Sequence, residues 1–399
     1  MKKFFIIFIF VLFCSQQMLA EAQDKIKIQG FVQLDNFYYQ NLPESWQEEG
    51  TVNFKLKTKL GDWLFKSELE ARANTLGLER GVGLEGGEYR PFLGVEEAYL
   101  AYHQEKYQFK FGIMKVNWGI TDKFNPLDLI NPQDFTDLLH SRKIGQLIWQ
   151  FSYLPWSSGR IDLVVAPFWL ASRLPPEDSP YFYGLADVPI HYWLQDSNWG
   201  ESQIGLRFYQ QLDRLELYGV AYKGYDHLPF VSYNYLANEL IYEYEPMTAV
   251  GFGWVYAWSK FIWRVEAAYY FYDHKSEENY GSYVMGLDYN VGQIGRYSLY
   301  LIWQYLGETP IKEDPTWVRH LFTNASSLKI TLSDVWLEVS LEGVYNFPND
   351  SLILIPSVAY SYKDWRFGLE YNYLAGPKGS LWDYCQQANN LSLSVRYSY

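Results

Sequence analysis

The side chains best suited to chemistry lie in one short segment, WGITDKFNPLDLINPQDF, which runs from Trp118 to Phe135. Asn-Pro occurs twice in this segment, and an oxygen-bearing side chain recurs at every third position. These side chains are Asp122, Asn125, Asp128, Asn131 and Asp134. Oxygens at such spacing can hold a hard cation, set the charge of a pore, or cap the backbone of successive turns.

Local turn formation explains these oxygens without a ligand. Asn is a favoured N-cap, Pro fits the first helical position, and Asp in the first turn meets the free N–H groups and the helix dipole. The following Pro also keeps Asn125 and Asn131 out of the α conformation. We therefore predict two successive short capped turns. A Ca²⁺ site at Asp122, Asp128 and Asp134 is the alternative, although their spacing does not match the EF-hand loop.

The N-terminus has the three regions of a secretory signal peptide. Two lysines precede the apolar run Phe4–Phe13, and small residues follow at Ala20 and Ala22. The run is too short for a transmembrane helix, which needs about 20 apolar residues. The sequence therefore predicts a signal peptide at residues 1–22 and one domain at residues 23–399.

The composition describes an exported, acidic and aromatic-rich chain. The formal net charge is −13, and 19% of the residues are aromatic. An acidic balance argues against a nucleic-acid partner, which requires a basic face. Only Cys385 remains once the signal peptide is removed, so no internal disulfide is predicted. Such a chain is either a secreted soluble β protein or a transmembrane β-barrel with aromatic girdles.

The last strand favours the barrel. In the terminal NNLSLSVRYSY, apolar residues at every second position from Leu391 to Tyr399 alternate with polar ones, which gives one apolar and one polar face. This resembles the C-terminal strand of Gram-negative outer-membrane barrels, which ends in an aromatic residue. The resemblance implies contact with outer-membrane lipid and lipopolysaccharide, and recognition by the barrel-assembly machinery through the strand that ends at Tyr399.

The same alternation recurs in VNFKLKTKL, FIWRVEAAYYF, VWLEVSLEGVY and WRFGLEYNY. A soluble protein would need a second layer to cover so many half-apolar strands, and no helix-period segment is available for it. A closed barrel places the apolar face against lipid and leaves no open edge. Short turns and long loops alternate along the chain. The predicted fold is all-β: a transmembrane antiparallel β-barrel of about 18 strands, with short periplasmic turns and long extracellular loops.

A barrel of about 16–18 strands leaves an aqueous lumen, so the polar face should line a pore. Both signs of charge occur there. The candidate lumen-lining residues are Lys55, Lys57, Lys59, Lys110, Arg207, Arg264, Arg366, Arg396, Glu338, Glu342 and Glu370. Mixed signs suit a small polar solute such as a sugar. The ladder Lys55, Lys57 and Lys59 is interpreted as a solvated face paired with Glu68 and Glu70 on the next strand.

The stretch FGIMKVNWGITDKFNPLDLINPQDF resembles a poorly characterised group of Gram-negative outer-membrane porin-like barrels. In that group WG is followed by Asp and by two Asn-Pro or Thr-Pro steps with Asp. The matching residues are Gly112, Trp118, Gly119, Asp122, Asn125, Pro126, Asp128, Pro132 and Asp134. The predicted architecture also resembles alginate-export barrels. The resemblance implies the barrel fold and an outer-membrane location, and it carries no ligand over.

The connection at residues 117–141 is expected to fold into the lumen and narrow it. Trp118, Asp122, Asn125, Asp128, Asn131 and Asp134 then form a constriction loop, whose carboxylates would favour cations. The predicted function is passive diffusion of small polar solutes. The alternative is a closed or gated barrel with a structural, adhesion or export-partner role. The oligomeric state stays open.

Two further loop features bear on function. The aromatic residues between Tyr181 and Trp199 either stack on sugars or form part of an interface girdle. The loop-side histidines, namely His140, His191, His227, His274 and His320, stand in no catalytic or metal-ligand motif. We therefore predict neither an enzyme nor a cofactor.

Overall fold

The computed structural model describes residues 26–42, 45–74, 93–175, 179–181, 188–194, 201–310, 322–378 and 380–399. The signal peptide predicted at residues 1–22 lies outside this part of the chain. Among the described residues, no helix combines the length and the apolar character that a membrane crossing requires.

The described residues form 23 strands. In chain order they are β1 (Ile26–Tyr39), β2 (Trp46–Leu60), β3 (Trp63–Asn74), β4 (Leu93–His103), β5 (Tyr107–Met114), β6 (Gln133–Asp134), β7 (Arg142–Lys143), β8 (Gln146–Tyr153), β9 (Gly159–Ala166), β10 (Ile190–Leu194), β11 (Gln203–Leu212), β12 (Leu215–Tyr225), β13 (Phe230–Asn234), β14 (Glu239–Tyr244), β15 (Pro246–Trp258), β16 (Phe261–Tyr272), β17 (Tyr280–Ile294), β18 (Tyr297–Thr309), β19 (Ala325–Ser333), β20 (Leu337–Asn346), β21 (Ser351–Tyr362), β22 (Trp365–Ala375) and β23 (Asn390–Ser398). A short helix, α1, spans Leu381–Tyr384.

Eighteen of these strands form one closed antiparallel barrel, which confirms the predicted fold class. Each barrel strand pairs with the next one along the chain, and β1 closes the barrel by pairing with β23. The other five strands lie in the loops. Strands β10, β14 and β13 form a three-stranded sheet, and β6 pairs with β7.

The alternating pattern sorts side chains between the two faces of the barrel wall. On β16, Trp263 is exposed on the outer face, whereas the neighbouring Arg264 and Glu266 point inward. Large apolar side chains on other strands, such as Phe252 and Met285, are likewise exposed on the outside. This outer belt is the surface that a bilayer would cover.

Short turns lie at one end of the barrel and long loops at the other, as the sequence predicts. Several turns have two residues, and the first of them has a positive φ. Gly61 has φ 59°, Asp213 has φ 50° and Lys363 has φ 54°. Turns of this type match the right-handed twist of the strands they join. At the opposite end, residues 115–145 connect β5 to β8.

The pairing of β1 with β23, which we call the closure seam, depends on Gly30 and the terminal Tyr399. The backbone N–H groups of Gly30 and Tyr399 each donate to the other's carbonyl oxygen at 3.0 Å. The Tyr399 hydroxyl continues past Gly30 and donates to the carbonyl oxygen of Asn53 at 3.1 Å. A Cβ on Gly30 would lie 2.2 Å from that carbonyl oxygen and 2.6 Å from the Tyr399 hydroxyl. The terminal ring therefore occupies the space that a side chain at position 30 would need.

Gly30→Ala should destabilise the folded barrel by about 1–3 kcal/mol, because the seam must shift to admit the methyl group. Gly219→Ala is the matched control on β12, where the nearest atom to the new Cβ is 3.9 Å away. The readout is the temperature at which the folded band disappears on a heat-modifiability gel. Equal temperatures for the two variants would contradict this account of the seam.

Candidate channel lumen and its inward loop

Residues 115–145, the inward loop, cross the lumen and attach to one carboxylate on the opposite wall. Glu266 on β16 has none of its surface exposed. One of its oxygens accepts hydrogen bonds from the backbone N–H groups of Ile120 and Thr121, the latter at 2.8 Å. Its other oxygen accepts the N–H of Leu127 at 3.1 Å. The loop therefore bends around a single wall side chain.

Neighbouring groups on β16 complete this attachment. Arg264 donates to the carbonyl oxygen of Ile120 at 3.0 Å, and the Tyr270 hydroxyl donates to that of Pro126 at 2.8 Å. A buried carboxylate is costly unless it is hydrogen-bonded. The loop backbone satisfies Glu266, and β16 in turn satisfies loop groups that would otherwise be buried without partners.

Further polar contacts extend the attachment around the wall. The backbone N–H of Lys123 donates to the Gln304 side chain on β18 at 2.8 Å, and its ammonium lies 2.6 Å from Glu342 on β20. His140 Nε2 lies 3.1 Å from Glu370 on β22. The inward loop thus reaches from its stems on β5 and β8 to the far side of the lumen.

The prediction that Asn125 and Asn131 cap two successive turns is wrong about both caps: the Asn125 side-chain oxygen accepts from the Thr121 hydroxyl at 3.3 Å and not from a backbone N–H of a described residue. The Asn131 side chain does not cap a turn but joins the two loop stems. Its oxygen accepts the Val116 N–H at 2.7 Å, and its amide donates to the carbonyl oxygens of Met114 and Ile144, both at 3.0 Å. At the first Asn-Pro, the Asp128 N–H donates to the Asn125 carbonyl oxygen at 3.1 Å, which makes a single turn without a helix.

Apolar packing holds the loop from two sides. Trp118, Leu127 and Ile130 belong to a buried cluster with inward residues of β8, β9, β12, β15, β16 and β17. Phe124 and Leu138 belong to a second cluster with residues of β17 to β22. The lumen wall therefore meets the loop through apolar clusters as well as through the polar contacts.

Wall glycines make room for these side chains. A Cβ on Gly251 would lie 2.5 Å from Leu127, and one on Gly205 would lie 2.6 Å from Trp118 and Ile130. The alternation of polar and apolar residues did not predict this packing. Its sequence signal is glycine and small apolar residues at inward positions of strands that elsewhere carry charges.

Two carboxylates of the constriction loop have cationic partners. Lys143 lies 2.7 Å from Asp128, and Arg173 lies 3.5 Å from Asp134. Asp122 makes no ion pair with a described residue. Within the described chain, no group of three acidic, histidine or cysteine side chains is placed to hold a metal ion, and the three aspartates do not converge.

The candidate lumen residues lie on the inner face, and most of them form ion pairs there. The pairs are Lys55–Glu68, Arg207–Asp162, Arg264–Asp288, Arg366–Glu338, Lys123–Glu342 and His140–Glu370, with N–O distances from 2.6 to 3.1 Å. Arg396 stacks over the Phe31 ring at 3.8 Å. Lys57, Lys59 and Lys110 form no ion pair with a described residue.

The expected partner of the lysine ladder is only half correct. Lys55 pairs with Glu68 at 2.9 Å, as the strand register requires. Glu70 instead binds Arg72 and, at 3.2 Å, Arg142 of the inward loop. The sequence could not show this, because Arg142 is 72 positions away along the chain.

One sector of the wall lacks the apolar packing of the loop. Neither cluster includes a described residue of β23, β1, β2 or β3. We call the inner face of these four strands the free sector. Its inner side chains include the polar Asp35, Thr51, Asn53 and Glu70, of which the last three are buried, and the aromatic Phe37 and Tyr39 nearer the loops. The inward loop meets this sector through the Arg142–Glu70 ion pair.

Three of the loop-side histidines, His140, His227 and His274, have structural contacts. The His227 ring contacts the carbonyl oxygens of Leu170 and Ile130 at 2.7 and 3.1 Å, and His274 lies 3.3 Å from Glu245. His140 contacts two carboxylates, and His320 lies outside the described residues. Of the loop aromatics, Tyr181 is buried, whereas Tyr192 and Trp193 are exposed on β10.

His140 lies between Asp137 Oδ2 and Glu370 Oε1, each 3.1 Å from a ring nitrogen. Its position inside the barrel lowers the pKa of His140, but the two carboxylates outweigh this effect and raise the pKa to about 10. Protonated His140 thus joins the inward loop to β22.

No protein-family model and no curated protein matches the sequence. The structure is nevertheless similar to solved outer-membrane barrels. A BenF-like porin from Pseudomonas fluorescens Pf-5 matches with a TM-score of 0.55 and 9% identity, over 94% of this chain and 97% of that chain. Wzi from Escherichia coli, a carbohydrate-binding β-barrel involved in group 1 capsule assembly, matches with a TM-score of 0.52 and 11% identity, over 96% and 86%. The chain thus has the fold of outer-membrane β-barrels.

Glu266→Gln should destabilise the protein by about 1–3 kcal/mol, because the new amide group faces the Leu127 N–H and leaves a buried donor unsatisfied. Glu338→Gln is the control: it removes a half-exposed lumen carboxylate and should cost about 0–1 kcal/mol. Denaturant unfolding in lipid vesicles, followed by tryptophan fluorescence, measures both. A Glu266→Gln cost no larger than that of the control would exclude Glu266 as the anchor.

His140→Gln should destabilise the protein in a pH-dependent manner. Because the folded-state pKa lies above the ordinary value of 6.5, the stabilisation by His140 is complete below about pH 6.5 and is lost as the pH rises to about 10. The gap in unfolding midpoint between wild type and variant should narrow over that range. The effect is partly screened, since 44% of the side chain is exposed. His191→Gln is the control, and a gap that does not change with pH would reject the bridge.

Proposed function

We propose that the protein is a porin-like outer-membrane channel that conducts small polar solutes by passive diffusion, with its lumen narrowed by residues 115–145. The observation that carries this proposal is the asymmetry of the loop attachment. The loop packs through apolar side chains on β8 to β22, and it meets the free sector through one described ion pair, Arg142–Glu70. Polar side chains line that sector, and those toward the short turns, such as Lys55 and Lys57, are accessible to water.

The barrel size supports a channel. An 18-stranded barrel is wide enough for an aqueous lumen, so a loop that packs on most of the wall but not on β23, β1, β2 and β3 need not close it. The similar BenF-like porin is consistent with this function. The loop attachment is polar and buried at several points, as at Glu266 and Asn131, which suits a constriction of constant width.

A closed barrel that acts at its outer surface is the second candidate. Two apolar clusters from opposite walls meet the inward loop, and this packing could also make a plug. The β10–β14–β13 sheet carries exposed Tyr192 and Trp193, side chains that stack on sugar rings. Wzi is a carbohydrate-binding barrel of similar fold. In this case the protein would bind a polysaccharide and conduct nothing.

Single-channel recording in a planar bilayer distinguishes the two candidates. The refolded mature protein should show discrete, steady openings. Glu266→Gln should show larger and noisier openings, because the loop loses part of its anchor. Glu338→Gln should keep the wild-type open-channel noise, since that carboxylate does not contact the loop.

Two outcomes would reject the channel. If folded wild-type protein is silent while Glu266→Gln opens, the loop is a plug. If both proteins are silent although heat-modifiability shows that they are folded, the closed barrel is the better description.

A further inference from the structure

We propose that the solute of this channel is a small organic anion carrying a carboxylate or a phosphate, and that Lys57, Lys59 and Lys110 guide it along the wall. This inference rests on the proposed channel function and adds the charge of the solute. The inferred anion preference is opposite to the cation preference that we predicted from the loop aspartates.

The strand register brings lysine side chains of three neighbouring strands together. Lys57 on β2 stands directly opposite Lys27 on β1 and directly opposite Lys66 on β3. Three ammonium groups therefore form one row across neighbouring strands. Like charges in directly opposed positions are destabilising, and cross-strand Cβ atoms are only about 4.5–5.5 Å apart. The row has an energetic cost that the fold itself does not require.

Described carboxylates neutralise only one ammonium group of this row. Lys66 pairs with Glu97, whereas Lys27 and Lys57 pair with no described carboxylate. Lys59 lies two residues beyond Lys57 on the same face, and it too lacks an ion pair within the described chain. Lys27, Lys57 and Lys59 are all exposed. These charges lie within the free sector, where the apolar side chains of the loop do not cover them.

The row of positive charge continues across the neighbouring strands to β5. Lys110 and Lys66 approach the Tyr99 ring at 5.8 and 5.9 Å. Lys59 and Lys110 both lie within electrostatic range of His103. The basic strip formed by Lys57, Lys59 and Lys110 therefore continues from β2 to β5 at the end of the barrel with short turns.

Nearby carboxylates do not cancel the strip, because cations share them. Asp162 contacts both Arg160 at 2.6 Å and Arg207 at 2.8 Å. Glu68 likewise contacts Lys55 at 2.9 Å and Lys66 at 3.9 Å. This side of the lumen therefore has an excess of positive charge.

The opposite wall is different. There Arg264 pairs with Asp288, and Arg366 pairs with Glu338. In the loop, Lys143 and Arg173 accompany two of the three aspartates that were expected to attract cations. Asp122 and Glu266 make no ion pair with a described residue, whereas the basic strip collects three lysines without one at the same end of the barrel.

The use of lysine indicates how an anion would be bound and released. Lysine is a flexible point charge, unlike the rigid fork of arginine that holds an anion in one geometry. Successive lysines offer several weak positions, which allow an anion to enter and also to leave. Carboxylates and phosphates share this chemistry, and measurements of solute uptake into vesicles distinguish them.

The test begins with wild type and the variant Lys57→Gln/Lys59→Gln/Lys110→Gln. Reversal potentials are recorded under a potassium chloride gradient at about 0.1 M, where the Debye length is about 10 Å. Wild type should prefer chloride. In the variant, the ratio of chloride to potassium permeability should fall by at least about threefold, because three lumen charges are lost. At about 1 M salt the two proteins should converge.

Lys223→Gln/Lys275→Gln/Lys378→Gln is the matched control. It removes the same number of charges at the end of the barrel with the long loops. It should keep the wild-type permeability ratio to within roughly a factor of 1.5, since these lysines lie away from the basic strip.

Solute uptake into proteoliposomes identifies the class of anion. Succinate and glycerol phosphate are compared with neutral glycerol and with a cationic amine of similar size. One or both anions should enter wild-type vesicles faster than the neutral solute, and the strip variant should lose that advantage. The faster anion shows whether carboxylate or phosphate is the solute group.

The outcomes separate this inference from the channel proposal. Absence of any conductance by folded protein overturns the channel function itself. Conductance without chloride preference, or with a preference that the strip variant retains, overturns the anion inference and leaves the channel standing. Equal loss in the strip variant and the control also overturns the inference, because the effect would then be one of total charge.

Discussion

The buried carboxylate of Glu266 is the constraint around which the interior of the barrel is arranged. A charge at this depth is tolerated only if donors surround it, and the donors are backbone N–H groups of the inward loop. The loop must therefore reach the opposite wall and bend there. Trp118 and Leu127 are carried inward by that path, and the facing positions on the wall must be small, as Gly205 and Gly251 are.

This constraint divides the lumen into two parts with different chemistry. From β8 to β22 the wall near the loops packs against the loop through apolar clusters and through buried polar contacts such as those of Glu266. The free sector carries polar side chains, and the basic strip lies at the end of the barrel with the short turns and extends from this sector to β5. A lumen filled by the loop on all sides would be a plug, whereas here the apolar packing omits the four strands of the free sector and leaves Lys57 and Lys59 exposed. Width and charge of the proposed path thus follow from the same loop attachment.

The outer face obeys simpler rules. Alternation alone places Trp263, Phe252 and Met285 toward lipid, and the hydrogen-bond ladder closes at Gly30 and Tyr399 without an open edge. No contact with the inward loop is needed for this closure. The barrel wall and the loop are therefore separable in principle: the wall supplies the scaffold, and the loop supplies the asymmetry that function would use.

The sequence by itself determined the barrel, because strand period, turn residues and the aromatic end are local signals that repeat along the chain. It also placed the candidate charges on the inner face. Only the tertiary structure decided which charges remain unpaired. Asp128 is neutralised by Lys143 and Glu70 by Arg142, and such partners depend on the path of a loop across the lumen. The role of Asn131 was hidden for the same reason: a polar side chain before proline suits a cap locally, and the approach of two loop stems offered it three stronger partners instead.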